Sequence, residues 1–566
     1  MKSANGASSC QGLDFSPVEA QTFSPLKSKA GRRTFWIGIL TTGIVCGGMY
    51  FYRLGYWPWD VDELSSLEEM GLLDPEIRQV VLDPDSIVVR LPRLVPVWYT
   101  VQKFLLRWLP QDEWGTRFLS AVCAAGAVMV LYGWGWQWRG TIFAASLVLL
   151  AGGSMLLVWL AQQNRFYTMA FLWLVLAELA IWAGSPHWGW WVGTAFFTLL
   201  AIFTHNVVIV LFGLQAGVVM VGWLFGGASG PVALRAGLAG LLAAGVYLLH
   251  VRPIAGSWTG AGLTWAPPWA SFAAHVGVPT VVLALMGSAV ACLVEKERRQ
   301  MAVWAAITVS VLIFVLMVPQ LMPIWNPRYS LLWVLPLWIT GAMAVETVAT
   351  GLLRWANPSS GQPTPERWKN STQLPYWLLL VGWYGCVGLL LVPKWLSHWI
   401  DGTRHDYRQA AHLVVQWLQE DVFISRLPIW SQPSQVAGNL APGHSPRRLS
   451  ADGSSPKTSE SLPAGASGPR SNLSRPIPIL TNMELQMRYY LPQPFRSQCR
   501  YWAPGIPLPE GECLVVLGGN GWEGPLAIPD RMVEWIGLVG RRRFDELSHV
   551  IRIYWVGPPT AAQQSG

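Results

Sequence analysis

The chain is poor in charge. Only 13% of its 566 residues are Asp, Glu, Lys or Arg, whereas a soluble protein carries roughly a quarter. The shortage falls in repeated apolar blocks of about 20 residues, a length that crosses ~30 Å of hydrocarbon. The composition therefore excludes an ordinary soluble protein and predicts a polytopic membrane protein. The 35 tryptophans suit membrane interfaces, where an indole is half buried and half hydrated.

Other signals are also missing. The sequence holds no nucleic-acid-binding motif and no Walker-type glycine loop, so the formal charge of +8 is interpreted as charge flanking the spans. No internal repeat is visible. The seven cysteines lack the spacing of metal ligands. Cys499 and Cys513 would be able to form a disulfide if the C-terminal region is extracytoplasmic, and the sequence leaves that pairing open.

The apolar blocks predict about eleven spans. A polar, disordered tail of residues 1–34 precedes the first span, over 35–55, which is interpreted as an uncleaved anchor. The remaining spans are predicted over 118–137, 141–160, 167–184, 188–204, 207–226, 232–251, 272–294, 301–322, 329–350 and 376–395. The transmembrane domain thus covers 35–395, and the predicted fold class is mainly α.

Positive charge predicts how the chain is threaded through the membrane. Lys and Arg are concentrated in the N-terminal tail and in alternate loops, and such residues favour the cytoplasmic side. The N-terminus is therefore expected in the cytoplasm. An odd number of spans then places the C-terminus outside a cell (inner) membrane.

Residues 56–116 form the predicted outer loop, which would carry catalytic groups and interfacial helices. Pro96 can begin an amphipathic helix there. Its polar face would hold Gln102, Lys103 and Arg107, and its apolar face would hold Val97, Trp98, Val101, Phe104, Leu105 and Trp108.

Residues 396–566 predict a small extracytoplasmic α/β domain. An amphipathic helix opens at Asp406-Tyr407-Arg408 and runs to about Glu420, a Ser/Pro/Gly-rich linker covers 431–475, and short apolar runs at Cys513–Leu517 and Val550–Val556 favour strands.

The segment directly after the first span is acidic. Asp60, Asp62 and Glu63 lie within four positions of one another, and carboxylates beside a bilayer are costly unless they serve a function. One can act as a general base, while another orients an acceptor hydroxyl or helps to hold a divalent cation. The alternative is an acidic helix cap. Both interpretations can hold together.

Further polar residues lie at span ends on the same predicted outer face. Arg165 and Arg328 suit phosphate recognition, Tyr167 and Tyr329 are hydrogen-bond donors, and His205 can bind phosphate or sugar. The alternatives are arginines that reach lipid head groups, Arg-Tyr interface anchors, and a structural histidine. Arg117 is interpreted as structural, either paired with the acidic loop or anchoring its helix. The convergence of four outer loops favours a site.

These motifs resemble the GT-C glycosyltransferases that use polyprenyl-phosphate sugars. The match is with the glycosyltransferase family 39 and Rgt-like branch, which is related to protein O-mannosyltransferases and aminoarabinose transferases. The resemblance covers about residues 35–400 and is carried by Asp62-Glu63, Arg117-Phe118-Leu119-Ser120, Arg165-Phe166-Tyr167, Thr204-His205 and Arg328-Tyr329. It implies that the first-loop acid is the catalytic base and that the donor is a lipid-phosphate sugar presented from the outer leaflet. The C-terminal domain lies outside the pattern.

The predicted function is therefore transfer of a sugar from a polyprenyl phosphate to an acceptor hydroxyl at the outer face, by inverting displacement with an Asp base. Asp62, Glu63 and Asp60 are the candidate catalytic residues. The candidate lipid-phosphate and substrate ligands are Arg165, Tyr167, His205, Arg328 and Tyr329. The acceptor is a lipid, a glycan or a protein, and a divalent cation is the one candidate cofactor.

Two alternatives lack chemistry. A lipid or glycan transporter or flippase would show broken spans, polar groups at mid-membrane, or repeated halves, and the sequence shows none of these clearly. A scaffold for envelope assembly would leave the acidic loop unexplained.

Overall fold

The computed structural model describes residues 29–73, 96–251, 272–273, 275–293, 298–321, 327–356, 374–390, 406–419, 477–493, 495–502, 506–518, 531–539 and 551–559. The chain divides into two compact units, Met1–Gly402 and Thr403–Gly566.

The described part of the first unit is helical. Its longer elements are α1 (Lys29–Phe51), α2 (Val61–Glu69), α3 (Pro96–Leu105), α4 (Glu113–Arg139), α5 (Thr141–Gly152), α6 (Met155–Ala161), α7 (Tyr167–Trp182), α8 (Trp188–Thr204), α9 (Val208–Leu224), α10 (Gly230–Val246), α11 (Val278–Leu293), α12 (Arg298–Leu321), α13 (Leu335–Ala356) and α14 (Leu374–Leu389). A π-helical turn (Tyr247–Val251) follows α10, and a 3-10 turn (Pro327–Leu332) precedes α13. The predicted class, mainly α, is confirmed.

Several helices can cross a membrane by length and apolar character. Five described segments meet both criteria, and a bent pair makes six if it is counted as one span. The five are Gly31–Phe51, Glu113–Arg139, Gly230–Val251, Gln300–Met317 and Leu335–Leu353. Shorter apolar helices lie over other predicted spans, at Tyr167–Trp182, Trp188–Thr204, Val208–Leu224 and Val278–Cys292. The chain is therefore polytopic.

The predicted span over 141–160 is not one straight helix. Helices α5 and α6 meet at 59°, with Gly153 and Ser154 between them. Small residues of this kind are a common cause of sharp helix breaks. The Tyr50 hydroxyl donates to the Gly152 carbonyl over 3.1 Å and so satisfies an acceptor at the break. A broken span, absent from the sequence expectation, is thus part of the fold.

The interface helix α3 differs from its predicted faces at one residue. Gln102, expected on the polar face, is buried together with Trp98. Its amide nitrogen donates to the Thr116 carbonyl over 2.5 Å and to Asn164 Oδ1 over 3.2 Å. Those two bonds satisfy the amide nitrogen, so its burial exchanges hydrogen bonds to water for hydrogen bonds to protein. Phe104 and Trp108 remain exposed, as an interfacial helix requires.

Close helix packing shapes the bundle around the site. A Cβ added to Gly287 of α11 would lie 1.7 Å from the Thr340 carbonyl oxygen of α13, so this contact excludes any larger residue. In the first turn of α4, a Cβ on Gly115 would lie 1.9 Å from the Pro110 carbonyl oxygen. Gly115 lies two residues before Arg117, and its close contact with Pro110 helps to fix the start of α4.

The second unit contains a mixed sheet and two described helices, α15 (Tyr407–Gln419) and α16 (Glu484–Tyr490). The strands are β1 (Ile479–Thr481), β2 (Cys499–Tyr501), β3 (Cys513–Gly518), β4 (Arg531–Val539) and β5 (Ile551–Pro559), in the order β2-β1-β3-β5-β4. Strand β1 is parallel to β2 and β3, whereas β5 is antiparallel to β3 and β4. The predicted α/β character is confirmed, and the linker 431–475 lies outside the described residues.

The disulfide left open by the sequence is not formed. Cys499 and Cys513 are both buried, free thiols, in strands separated by β1. Ile479 pairs with Cys499 on one side and with Leu514 on the other, so the two cysteines face opposite sides of the sheet. Two strand spacings also amount to about 9.6 Å, beyond disulfide reach. Burial raises the pKa of the Cys499 thiol, which disfavours its reactive thiolate.

Candidate active site

The acidic segment starts helix α2 with a capping box. Asp60 is the N-cap, and its Oδ1 accepts from the Glu63 backbone N–H over 2.8 Å. Glu63 Oε2 in return accepts from the Asp60 N–H over 3.1 Å. The acidic-cap interpretation is therefore right, and these reciprocal bonds fix the direction in which Asp62, in the first turn, projects.

Glu63 faces the protein interior. Both its oxygens lie 2.9 Å from Arg117, from Nε and from Nη2, and both side chains are essentially unexposed. The remaining Arg117 hydrogens go to the carbonyls of Leu54, Trp57 and Pro58. The expectation that Arg117 pairs with the acidic loop is met. The pair ties the loop to the start of α4.

The turn between α6 and α7 attaches to this buried pair. The Asn164 backbone N–H donates to Glu63 Oε1 over 2.6 Å, and the Ser120 hydroxyl donates to the Arg165 carbonyl over 3.1 Å. Gln162 reaches the carbonyls of Tyr50 and Tyr52. Arg165 is therefore presented by a turn that is held at several points.

Asp62 is the acid that meets the two predicted arginines. Its side chain is 35% exposed and accepts from Arg328 Nη1 through Oδ2. Its Oδ1 lies 3.4 Å from Arg165 Nη2. Asp60 Oδ2 lies 3.4 Å from Arg328 Nη2. Three chain segments, far apart in sequence, thus bring two guanidinium groups onto one carboxylate pair.

Each arginine also lies over an aromatic ring. Arg165 lies 5.1 Å from the centroid of Phe166, and Arg328 lies 5.4 Å from that of Trp159, within cation–π range. Burial alone would lower the pKa of each arginine, but Asp62, joined at Arg328 by Asp60, outweighs it and raises both pKa values. Both groups are fixed positive charges.

Tyr167, His205 and Tyr329 form an aromatic wall beside the arginines. The His205 ring lies 5.2 Å from Tyr167 and 5.3 Å from Tyr329, centroid to centroid, and Tyr167 lies close to Arg328. His205 Nδ1 accepts from the Val207 N–H. Its Nε2 is buried and has no hydrogen-bond partner within the described structure. Burial lowers the pKa of His205 to about 3, so this imidazole is neutral.

The acid cluster does not suit a cation. Asp60 and Asp62 both face Arg328, and a divalent ion would have to displace that guanidinium. In the described part of the chain, no group of three or more His, Cys, Asp or Glu residues is arranged to hold a metal. The divalent cation stays an untested prediction.

The chain is similar to ArnT from Cupriavidus metallidurans. The structure of that protein in the apo state matches with a TM-score of 0.46 at 12% identity, over 92% of this chain and 98% of that one. The structure bound to undecaprenyl phosphate matches with a TM-score of 0.45 at 13% identity, over the same shares. No family model and no curated protein matches the chain.

Sequence reasoning missed four residues that complete the arrangement. Ser66 accepts a hydrogen bond from Arg165, and Tyr99 lies near the same guanidinium. Gln102 donates to Asn164, and the Arg328 guanidinium lies over the Trp159 ring. Ser66 follows Asp62 by four positions and so lies on the same helix face, which is a usable signal. Nothing in the sequence distinguishes Trp159 from the 34 other tryptophans.

Proposed function

We propose that this protein is a membrane glycosyltransferase. It moves a sugar from a polyprenyl-phosphate donor to an acceptor hydroxyl at the outer face of the inner membrane. One observation carries the proposal: Arg165 and Arg328 meet at Asp62, beside Asp60. A base and two phosphate-binding cations in one place are what displacement of a phosphate leaving group needs.

Arg165 and Arg328 hold the donor phosphate. Two guanidinium groups match the charge and the planar two-point geometry of a phosphate. Their effect grows as the bond from the anomeric carbon to the phosphate oxygen breaks, because negative charge then accumulates on the leaving group. Tyr167, close to Arg328, offers a hydroxyl beside that arginine. Neutral His205 offers its unpartnered Nε2 as a hydrogen-bonding group for phosphate or sugar.

Asp62 is the general base. Asp60 is committed to capping α2 and Glu63 to Arg117, whereas Asp62 carries no cap and is the most exposed of the three. The acceptor hydroxyl gives its proton to the Asp62 carboxylate as its oxygen attacks the anomeric carbon. The polyprenyl phosphate leaves with the electron pair of the broken bond. Attack opposite the leaving group inverts that carbon.

Donor binding frees the base. The phosphate and the Asp62 carboxylate compete for the same N–H donors of Arg165 and Arg328. When the phosphate accepts those hydrogen bonds, the Asp62 carboxylate is released from the arginines and can take the proton of the acceptor hydroxyl. The acceptor is a lipid, a glycan or a protein. The positive charge of the tail and inner loops supports a cytoplasmic N-terminus and an extracytoplasmic C-terminal unit.

Turnover by the purified protein tests the proposal. The protein in nanodiscs is given a radiolabelled polyprenyl-phosphate sugar and an extract of envelope acceptors, and labelled product is followed. Wild type and Glu68→Gln, a control on the same helix α2, should form product. Asp62→Asn and Arg328→Ala should not. Product formation by both at the native rate would contradict the assigned roles.

A transporter or flippase is the second candidate, and the 59° break between α5 and α6 favours it, because transporters use broken spans at their binding sites. Proteoliposomes separate the two candidates. A transporter moves labelled lipid between leaflets without cleaving it, whereas the transferase cleaves the sugar from the lipid and does not depend on a second leaflet.

A further inference from the structure

Helix α3 and the turn after it present cations and aromatic rings on one exposed side. Lys103 and Arg107 are exposed, and beside them Phe104 and Trp108 are 55% and 78% exposed. Residues four apart lie on the same helix face, so Lys103 neighbours Arg107 and Phe104 neighbours Trp108. The Trp108 backbone N–H donates to the Leu105 carbonyl over 2.9 Å, which keeps the chain helical to that point. The four side chains therefore form one continuous surface.

The opposite side of α3 is held inside the protein. Trp98 and Gln102 are buried, and Leu106 is buried one turn further on. The Gln102 amide nitrogen donates to the Thr116 carbonyl over 2.5 Å. The helix cannot roll to cover its exposed side without breaking this contact with α4. The cations and rings therefore face away from the bundle.

The exposed side is positively charged. Residues 96–110 include Lys103 and Arg107 but no Asp or Glu, and neither cation forms an ion pair within the described residues. Like charges four residues apart on a helix repel, so an anion between them would stabilise the arrangement. A cation near a helix C-terminus is favourable by itself, which would explain Lys103 but not the two exposed rings.

Cations beside aromatic rings match the chemistry of a lipid head-group layer. The candidate membrane span Glu113–Arg139 follows α3 closely, which places α3 at the end of a span. Tryptophan favours that depth, where part of its ring is apolar and part is hydrated, and Lys and Arg attract anionic head groups. A helix in the interface plane uses both contributions. A free phosphate ion would use the cations alone and leave the rings exposed to water.

We propose that the exposed side of α3 binds the head group of an anionic phospholipid. Lys103 and Arg107 contact its phosphate. Phe104 and Trp108 pack against its glycerol and its first acyl carbons. This lipid is distinct from the sugar donor, whose phosphate is assigned to Arg165 and its partner arginine in the proposed function. The phospholipid surface does not depend on sugar transfer.

Lipid binding to the full-length protein in detergent tests the proposal. Native mass spectrometry is used to titrate the protein with phosphatidylglycerol and with phosphatidylcholine of the same acyl chains, and the ratio of the two affinities is the readout. One cation near a lipid surface contributes about five-fold. Lys103→Gln and Arg107→Gln should therefore each lower the preference for phosphatidylglycerol about five-fold, and the double variant about 25-fold.

Matched variants separate this surface from a general effect of charge. Lys103→Arg keeps the cation and should keep the preference for phosphatidylglycerol. Arg500→Gln removes an exposed arginine of β2 and should bind both lipids like wild type. Phe104→Ala and Trp108→Ala should weaken both lipids by a similar factor and leave the ratio unchanged, because the rings contact parts that the two lipids share.

Three results would overturn the proposal. The first is a wild-type preference for phosphatidylglycerol in Lys103→Gln/Arg107→Gln, and the second is an equal loss of that preference in Arg500→Gln. The third is a double variant that loses undecaprenyl phosphate and keeps phosphatidylglycerol, which would assign the surface to the sugar donor. Loss of undecaprenyl phosphate binding in Arg165→Ala tests the donor site separately, and its failure would leave the phospholipid surface unaffected.

Discussion

Glu63 and Arg117 form a buried two-point ion pair, with each carboxylate oxygen 2.9 Å from a guanidinium nitrogen. Removing one partner leaves the other charge unpaired in the interior, which costs about 3 to 5 kcal/mol. We expect Glu63→Ala to lower the thermal unfolding temperature in detergent, whereas Glu68→Ala on the same helix should leave it nearly unchanged. Glu63→Gln should be less severe, because the amide keeps one acceptor. A Glu63→Gln protein that is fully stable but inactive would instead give Glu63 a role in the chemistry.

The sequence predicted where the site residues meet better than what each one does. The topology placed Asp62 and Arg328 on the same outer face although 266 positions separate them, because span ends on one side of a bundle are brought together by the threading. Knowing that both acids lie at the same face of the membrane does not tell which of the two side chains is buried. Glu63 and Asp62 are adjacent in the sequence, and the partner that buries Glu63, Arg117, lies 54 positions away.

Helical periodicity did not predict burial correctly where a polar side chain forms hydrogen bonds to protein in place of water. Gln102 lies on the polar side of α3 by periodicity, yet it is buried because Thr116 and Asn164 supply its partners. The predicted span over 141–160 contains a 59° bend that the apolar pattern does not reveal. The average hydropathy of a 20-residue segment indicates whether the segment can cross a membrane, but not whether its helix is straight. The break after Gly152 depends on local backbone geometry and on the Tyr50 hydroxyl of α1, which donates to the Gly152 carbonyl.

The two neighbouring aspartates should differ strongly as bases. Asp62→Asn removes the group that accepts the acceptor proton, and general-base catalysis contributes about 10²- to 10⁴-fold, so kcat should fall by about that factor. Asp60→Asn keeps a competent helix cap and one oxygen towards Arg328, so its loss should be about ten-fold or less. Rates are compared at saturating donor. If kcat fell equally in the two variants, the general base could not be assigned to Asp62 alone and would have to be assigned to Asp60 and Asp62 together.

Catalysis and donor binding should change in opposite directions in Asp62→Asn. The Asp62 carboxylate pairs with both Arg165 and Arg328. In the proposed mechanism it competes with phosphate for them, and a neutral amide would compete less. We therefore expect Asp62→Asn to bind polyprenyl phosphate more tightly than wild type while it turns over more slowly. Direct binding in nanodiscs measures the first effect. Weaker lipid binding by this variant would show that Asp62 helps to place the arginines rather than competing with phosphate for them.

If Arg165 and Arg328 bind the donor phosphate as proposed, replacing either by lysine should impair donor binding although the charge is kept. Lysine lacks the planar pair of donors that binds two oxygens and cannot reproduce the bonds of Arg165 to Ser66 and the Asp62 carbonyl. Kd for the lipid phosphate should rise by about 10-fold or more in each variant. Arg500→Lys, at an exposed position of strand β2, serves as the matched control. Wild-type affinity in Arg165→Lys and Arg328→Lys would reduce both arginines to simple point charges.

His205 should make the stability of the protein depend on pH, although the residue itself stays neutral in the native state. Its native pKa is lowered to about 3 by burial, whereas an unfolded histidine titrates near ~6.5. The unfolded chain therefore takes up a proton that the native protein does not, and stability is lost as pH falls from about 6.5 towards 3. Between pH 7.5 and pH 5 this linkage costs about 2 kcal/mol. Thermal unfolding of wild type and His205→Gln at both pH values measures it: the variant should lose less stability on acidification, and an identical loss in the two proteins would mean that His205 is already protonated in the native state.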